Sequence, residues 1–203
     1  MNPNITKHQF SIQKIERSRQ KKQTSCVIWL TGYSGAGKST LANGIDEFLF
    51  KNGNHSYVLD GDNVRKGLNS DLGFSDDDRK ENIRRVGEVS KLFMDAGLIV
   101  IAAFISPYRE DRDQVRNIIE PDKFIEIFVD TPIEECERRD TKGLYKKARK
   151  GEISNFPGIS SEFETPMNAE ITVQTENQSI TQSVDFIIKE LRNLIAMNTS
   201  KND

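Results

Sequence analysis

Apolar residues along the chain form short continuous runs that alternate with longer stretches of helical spacing. The runs predict buried strands at 26–31, 57–60, 98–105, 124–129 and 169–174. Apolar positions three and four residues apart predict helices near 38–52, 76–96, 109–119, 132–139 and 180–197. Each right-handed crossover lays its helix on a face of a parallel sheet. The pattern therefore predicts an α/β fold with a five-stranded, doubly wound parallel sheet flanked by helices.

The predicted helix at 76–96 has the most regular apolar spacing. Its apolar stripe, which we expect to face the core, consists of Ile83, Val86, Val89, Leu92 and Phe93. Three polar residues, Arg79, Asn82 and Arg85, are expected to lie away from this stripe. Ser75 is the expected N-cap, because three aspartates follow it at the positive end of the helix dipole.

Composition limits the possible classes of protein. A chain of 203 residues with a net charge of −2 favours one domain and gives no support for general nucleic-acid binding. Cys26 and Cys136 offer neither a disulfide framework nor metal-ligand spacing, which fits a reducing cytoplasm. No apolar segment is long enough to suggest export or membrane insertion.

Two segments differ from the predicted domain at 26–203. Residues 1–25 form a polar, basic arm, for which a solvated leader is the simplest interpretation and an interaction role is the alternative. Residues 140–168 are basic, contain glycine and are only weakly apolar. An insertion of this kind before the last strand is typical of a mobile lid, although a solvated basic helix face would have the same composition.

A complete GxxxxGKS motif lies between the first predicted strand and the first predicted helix. Glycines in such a loop let backbone N–H groups surround phosphates, its lysine reaches the β- and γ-phosphates, and its serine can bind Mg²⁺. The motif therefore predicts a site for a nucleoside triphosphate. The expected contacts are Gly32, Ser34, Gly35, Ala36, Gly37, Lys38, Ser39 and Thr40.

Polar residues follow the second and third predicted strands. The second strand ends at Asp60, with Asp62 and Asn63 close behind, and paired acids here can hold Mg²⁺ or accept a proton. Asp62 could instead cap a short helix. The third strand has no terminal acid but leads to Ser106, whose hydroxyl could bind substrate, be phosphorylated transiently or cap the next helix.

Several blocks of sequence together resemble one family far more specifically than the phosphate loop does. The blocks are Asp60-Gly-Asp-Asn-Val-Arg65, Leu72-Gly-Phe74, Asp78-Arg79-Lys-Glu-Asn82-Ile-Arg-Arg85, Phe104-Ile-Ser-Pro-Tyr-Arg109 and Lys142-Gly-Leu-Tyr-Lys-Lys-Ala-Arg149. In order and spacing they resemble adenylyl-sulfate kinase, a P-loop kinase of sulfate activation. The resemblance runs from about His8 to Ala169.

The resemblance implies transfer of the γ-phosphoryl group of MgATP to the 3′-hydroxyl of adenylyl sulfate. Lys38 would neutralise the donor phosphates, Ser39 and Asp60 would hold Mg²⁺, and Asp60 would accept the proton of the attacking hydroxyl. Arg65 and Arg79 would grip the phosphosulfate, with an amide contact from Asn82.

The resemblance also implies that Phe74 and Phe156 enclose the acceptor's adenine, although a core aromatic is an equal alternative for Phe74. Lys142 would close over both nucleotides as part of the lid. The family pattern places a phosphoserine at Ser106, but direct in-line transfer needs no covalent step. Further expected acceptor contacts are Asp62, Asn63 and Ile105.

The resemblance implies a homodimer, to which Met94, Leu98 or the N-terminal arm could contribute, and any ATP sulfurylase partner would be a separate chain. No nucleic-acid or membrane partner is expected. The alternatives are a small P-loop kinase with another acceptor, such as a nucleoside monophosphate, shikimate or gluconate, and a nucleotide-binding protein without transfer activity.

Overall fold

The computed structural model describes residues 4, 6 and 8–195. Its sheet contains β1 (Cys26–Thr31), β2 (Ser56–Asp60), β3 (Ile99–Ala103), β4 (Phe124–Asp130) and β5 (Ile171–Gln174). All neighbouring strands are parallel, in the order β2-β3-β1-β4-β5. The predicted five-stranded parallel sheet is therefore confirmed.

The helices are α1 (Lys14–Lys21), α2 (Lys38–Lys51), α3 (Gly61–Val64), α4 (Asp76–Asp95), α5 (Arg109–Ile119), α6 (Ile133–Arg139), α7 (Leu144–Arg149) and α8 (Ile180–Leu194). All five predicted helices are present, and the bounds predicted for α5 are correct. The predicted set did not include α1, α3 and α7. Helix α1 has no buried residue and so no apolar stripe, and α3 and α7 are too short to show a clear apolar period. Residues 196 and 197 of the last predicted helix lie outside the described residues.

Alternate residues of β1 supply two separate cores, one on each face of the sheet. Ile28 and Leu30 belong to the core that includes side chains of α2 and α8. Val27 and Trp29 belong to the other core, which includes side chains of α4 and α5. This alternation explains why β1 is apolar at every position but its last. In the described part of the chain, no helix has the length and apolar character needed to cross a membrane.

The third strand is shorter than the predicted range 98–105. The last ladder bond runs from the Phe104 amide to the Leu30 carbonyl at 3.2 Å. Beyond it a side chain takes over, because the hydroxyl of Thr31 donates to the Ile105 carbonyl at 2.7 Å. Ser106 has a φ of 39°, a left-handed conformation that is uncommon outside glycine. The chain therefore turns out of the sheet into the space above it.

The predicted stripe of α4 is wrong at one position. Leu92 is 68% exposed. The polar residues Arg79 and Asn82, which were expected to lie elsewhere on the helix, are buried instead. The reason is geometric, since Arg79, Asn82, Val86 and Ser90 recur at three- and four-residue spacing and turn one face inward. The N-cap prediction is confirmed, because the Ser75 hydroxyl accepts from the Asp78 amide at 3.2 Å.

Part of the N-terminal arm packs on the domain. The interpretation of residues 1–25 as a solvated leader therefore does not hold for this part. Helix α1 makes two ion pairs of 3.2 Å, Lys14 with Glu120 and Arg17 with Asp95. Behind it, the buried side-chain amide of Gln23 donates at 2.9 Å to the carbonyls of residues 55 and 97. These contacts tie the arm to the ends of the sheet opposite the phosphate loop.

Candidate active site

A cavity of about 1110 Å³ lies above the carboxyl ends of the strands. The phosphate loop forms its floor, and the residues that follow β2 and β3 form one wall. Loops from different strands meet here because all strands of a parallel sheet end on the same side. The fold thus collects the sequence motifs at one site.

The phosphate loop has the backbone geometry that its glycines predict. Gly32 and Gly35 have φ values of 147° and 77°. A Cβ atom at Gly32 would lie 2.6 Å from the Val129 carbonyl oxygen, and one at Gly35 would lie 2.9 Å from that of Cys136. Both positions therefore require glycine, which lets the loop pack tightly on β4 and α6.

Lys38 is the first residue of α2 and is buried beneath the loop. Its ammonium donates to the carbonyl oxygens of Gly32 at 2.9 Å and of Tyr33 at 2.6 Å. Burial lowers the pKa of Lys38 to about 8. The ammonium of Lys38 would therefore be strongly stabilised by a polyanionic phosphate group bound beside it.

Ser39 and Asp60 connect the phosphate loop to the end of β2. The Ser39 hydroxyl donates to Oδ2 of Asp60 at 2.6 Å, and Oδ1 of Asp60 accepts from the Asp62 amide at 3.0 Å. Asp60 is therefore the cap of α3, and the suggestion that Asp62 caps this helix is wrong. Hydroxyl and carboxylate oxygens are the hard donors that Mg²⁺ prefers, so this pair fits that ion.

An exposed phenylalanine lies beside two guanidinium groups on the opposite wall. Phe74 is 60% exposed, which rules out the core alternative. The guanidinium carbon of Arg65 lies 4.5 Å from the centre of its ring and that of Arg79 lies 5.7 Å away. Arg65 also donates to the Gly73 carbonyl at 2.7 Å, and Arg79 donates to the Asn155 carbonyl at 2.8 Å. This wall therefore presents an aromatic ring beside two guanidinium groups whose positions are fixed by hydrogen bonds to backbone carbonyls.

Ser106 is buried at the edge of the cavity. Its Oγ accepts from the indole N–H of Trp29 at 3.0 Å and donates to Thr31 Oγ1 at 3.0 Å. Helix α5 begins after Tyr108 and has no side-chain cap, so the capping interpretation of Ser106 is wrong. Its hydroxyl instead locks the turn that brings the neighbouring Ile105 to the cavity.

The lid segment is closed against the phosphate loop. The Tyr145 hydroxyl donates to the Ser34 carbonyl at 2.8 Å, and the Asp140 carboxylate accepts from the backbone amides of residues 144–146. Lys142, which precedes α7, forms an ion pair with Asp62 across the cavity. Lid mobility stays a prediction.

Most predicted site residues line this one cavity. They are Ser34, Gly35, Ala36, Gly37, Lys38, Ser39, Thr40, Asp60, Asp62, Asn63, Arg65, Phe74, Arg79, Asn82, Ile105, Ser106 and Lys142. Gly32 contributes through its bond to Lys38, as described above. Phe156 is not brought to the cavity, because it is buried with its ring 4.9 Å from that of Tyr145.

Sequence reasoning missed the wall beside the phosphate loop. Arg139 donates to the hydroxyl of Thr175 at 2.9 Å and to its carbonyl at 3.0 Å. The same hydroxyl donates to the Ala36 carbonyl at 3.2 Å. Thr175 directly follows the last predicted strand, so its place at the carboxyl edge of the sheet was the available signal. Arg139 ends a predicted helix, and a helix that follows a parallel strand runs back toward the amino edge, so its position gave no such signal.

Comparison with known proteins gives a consistent result. Residues 24–174 match the family model described as Adenylylsulphate kinase. The chain is 57% identical over 185 residues to a probable adenylyl-sulfate kinase of Halalkalibacterium halodurans, covering 91% of this chain and 92% of the relative. It is 57% identical over 190 residues to an adenylyl-sulfate kinase of Staphylococcus haemolyticus, covering 94% and 96%.

Solved structures agree with the sequence relatives. A Mycobacterium tuberculosis APS kinase in complex with AMPPNP and APS superposes with a TM-score of 0.79 at 44% identity, covering 83% of this chain and 98% of that one. A hexameric APS kinase from Thiobacillus denitrificans has a TM-score of 0.66 at 31% identity, covering 88% and 31%. From its sequence blocks, its sheet and these matches, we conclude that the chain belongs to the adenylylsulphate kinase family.

Proposed function

We propose that this protein transfers the γ-phosphoryl group of ATP to the 3′-hydroxyl of adenylyl sulfate. The observation that carries the proposal is that the Ser39–Asp60 pair and the Arg65–Phe74–Arg79 wall share one cavity. A donor nucleotide on the phosphate loop and a sulfated acceptor nucleotide on the arginine wall would then face each other. The Mycobacterium tuberculosis relative, solved with AMPPNP and APS, supports this assignment of two nucleotides.

On the donor side, Lys38 and the loop amides would hold the β- and γ-phosphates in line for transfer. Ser39 and Asp60 would hold Mg²⁺, with waters completing its coordination shell. When bound, the ion would neutralise charge on the phosphate oxygens. In this role Ser39 would exchange its hydrogen bond with Asp60 for the metal.

On the acceptor side, the phosphosulfate would lie between the two arginine forks and the adenine would stack on Phe74. Asp60 would take the proton as the 3′-hydroxyl oxygen bonds to the γ-phosphorus and the bond to the bridging β–γ oxygen breaks. The products would be ADP and 3′-phosphoadenylyl sulfate. Lys142 and the segment above the loop would exclude water that could otherwise accept the phosphoryl group.

An acceptor comparison tests this proposal. In an assay that couples ADP release to a signal, adenylyl sulfate should be phosphorylated and AMP, which lacks the sulfate, should be a far poorer acceptor. Arg79→Lys keeps the charge but loses the planar fork, so it should raise the KM for adenylyl sulfate. The matched control is Arg84→Lys, because Arg84 lies on the same helix and forms an exposed ion pair with Glu81. Equal rates with both acceptors would contradict the proposal.

We also propose that the protein acts as a homodimer and receives adenylyl sulfate from a separate ATP sulfurylase. Met94 is only 2% exposed, so its expected part in the dimer contact is wrong. Leu98 is partly exposed, and α1 lies close to it. Analytical ultracentrifugation of the full chain would show whether the dimer forms.

A further inference from the structure

The turn that carries Arg65 and Phe74 encloses a buried asparagine that the sequence analysis did not single out. Asn69 has no exposed surface. Its backbone N–H group donates to the Val64 carbonyl at 3.1 Å, and its backbone carbonyl accepts from the backbone N–H group of Leu72 at 3.2 Å. The backbone is thus fixed on both sides of the side chain. This rigid placement directs the Asn69 side chain inward, toward α4.

Asn69 reaches a residue that does line the cavity. Its Nδ2 donates to Oδ1 of Asn82 at 2.9 Å, in a contact buried from solvent. The carbonyl oxygen of Asn82 is therefore occupied by a donor. Among the described residues, Nδ2 of Asn82 has no acceptor, while the residue itself borders the cavity beside Arg79. The amide of Asn82 is thus turned so that it offers hydrogen-bond donors to whatever binds there.

One atom of this pair of side-chain amides has no partner, and this bears on which way the two amides are turned. Oδ1 of Asn69 is buried and has no donor within the part of the chain described. A buried carbonyl without a partner is unfavourable, so such groups are rare in folded proteins. Turning both amides over would leave the N–H groups of Asn69 Nδ2 without an acceptor, and buried N–H groups without a partner are rarer than such carbonyls. The two orientations also differ in what Asn82 presents to the cavity, a donor or an acceptor.

We propose that Asn69 is a positioning residue that sets acceptor specificity by holding the amide of Asn82 with its N–H groups toward the anionic acceptor. This inference rests on the proposed function, because it assumes that the acceptor with its phosphosulfate occupies the arginine wall. A carboxamide held the other way would place a carbonyl oxygen against negatively charged oxygens and repel them. Asn69 contacts neither nucleotide and acts only through Asn82.

The substitution Asn69→Asp tests the orientation directly. An ionised carboxylate can only accept, so Asn82 would have to donate to it and turn its carbonyl oxygen toward the cavity. Because burial raises the pKa of a carboxyl group at this position, the acceptor KM is measured from about pH 6 to about pH 9, and the prediction concerns the ionised form at the upper end. We expect the KM for adenylyl sulfate to rise roughly tenfold to a hundredfold, the range for one lost hydrogen bond to a charged group. The KM for ATP should stay near the wild-type value, because the phosphate loop does not touch this turn.

A double-mutant comparison separates positioning from a general effect on the fold. In an Asn82→Ala background, Asn69→Asp should have little further effect on the KM for adenylyl sulfate. Three results would overturn the inference. They are an equal rise in the KM for adenylyl sulfate in both backgrounds, an equal rise in the KM for ATP, and an unchanged KM for adenylyl sulfate in the single variant. If the Asn69→Asp protein does not fold, Asn69→Leu takes its place. Leucine neither donates nor accepts, so Asn82 loses its fixed orientation without being turned over, and we expect a smaller rise in the acceptor KM that is absent in the Asn82→Ala background.

The failure of this inference is distinguishable from the failure of the proposed function. If the wild-type protein does not phosphorylate adenylyl sulfate, the proposed function fails and both ideas fall. If the wild-type protein is active and the Asn69 variants behave like it, only the positioning role is excluded. Thermal unfolding of each variant with and without adenylyl sulfate provides a readout of acceptor binding that does not depend on turnover.

Discussion

The hydroxyl of Ser39 donates to the carboxylate of Asp60 at 2.6 Å. This bond joins the last residue of the phosphate motif to the last residue of β2, across 21 positions of sequence. It places the proposed base within one hydrogen bond of the residue that would bind the metal.

Removing the carboxylate of Asp60 should slow the reaction far more than it weakens ATP binding. For Asp60→Asn we expect kcat to fall by about 10² to 10⁴, the usual contribution of a general base. Coupled ADP release with saturating substrates measures the change. Asp46→Asn is the matched control, because Asp46 also borders the cavity but bonds to the Ser56 hydroxyl at 2.6 Å. An Asp60 variant with normal kcat would eliminate the proposed base.

ATP affinity should fall as the pH rises through the pKa of Lys38, which burial lowers to about 8. Below this pH the ammonium is charged and attracts the phosphates, whereas above it the free protein must take up a proton to bind ATP. We therefore expect the Kd for ATP to be roughly tenfold higher at about pH 9 than at about pH 7, by proton linkage. Calorimetric titration at both pH values measures the difference.

The control for this experiment is Lys38→Arg, whose guanidinium keeps its charge across the range. Its affinity for ATP is expected to be lower than that of the wild type, yet nearly independent of pH. A wild-type Kd that does not change between the two pH values would show that Lys38 stays charged despite its burial.

Ser106 should not become phosphorylated. Its hydroxyl is buried, accepts from Trp29 and donates to Thr31, so its oxygen is not free to attack the γ-phosphate. After incubation with MgATP and no acceptor, the intact mass of the protein should be unchanged. A gain of one phosphoryl group in the wild type that is absent from Ser106→Ala would establish the covalent intermediate.

A buried arginine should be important for stability. Arg112 pairs with Glu126 at 2.7 Å and donates to the carbonyls of Ser106 and Glu164, each at 2.7 Å. Arg112→Ala leaves Glu126 buried without its closest partner, so we expect the free energy of unfolding to fall by about 3 to 5 kcal/mol. Urea denaturation followed by circular dichroism measures this change. Arg84→Ala, which breaks an exposed ion pair, should leave the denaturation midpoint nearly unchanged.

Local patterns in the sequence carried much of the fold and the chemistry. Continuous apolar runs identified β1, β3 and β4 because a strand covered on both faces has almost no polar positions. The edge strands β2 and β5 were predicted as well, although they are only partly buried. The phosphate motif and Asp60 were identifiable because glycine spacing and strand ends have local physical meanings. The family blocks then pointed to two nucleotides in one cavity.

Tertiary packing decided the features that depend on residues far apart in sequence. The burial of Arg79 and the exposure of Leu92 depend on which face of α4 lies against the sheet, and no local pattern specifies this face. Nor does any pattern place Phe156 beneath Tyr145, because the path of the segment after α7 depends on packing with the phosphate loop.

By itself, then, the sequence determined which residue types are present for phosphoryl transfer and which strand ends carry them. Only the tertiary structure decided their pairing, such as Asn69 with Asn82 and Arg139 with Thr175. The physical reason is that hydrogen bonds between side chains depend on distance and angle, and these are fixed only after the two cores have packed. Periodicity specifies the faces of elements, whereas packing specifies which side chains meet.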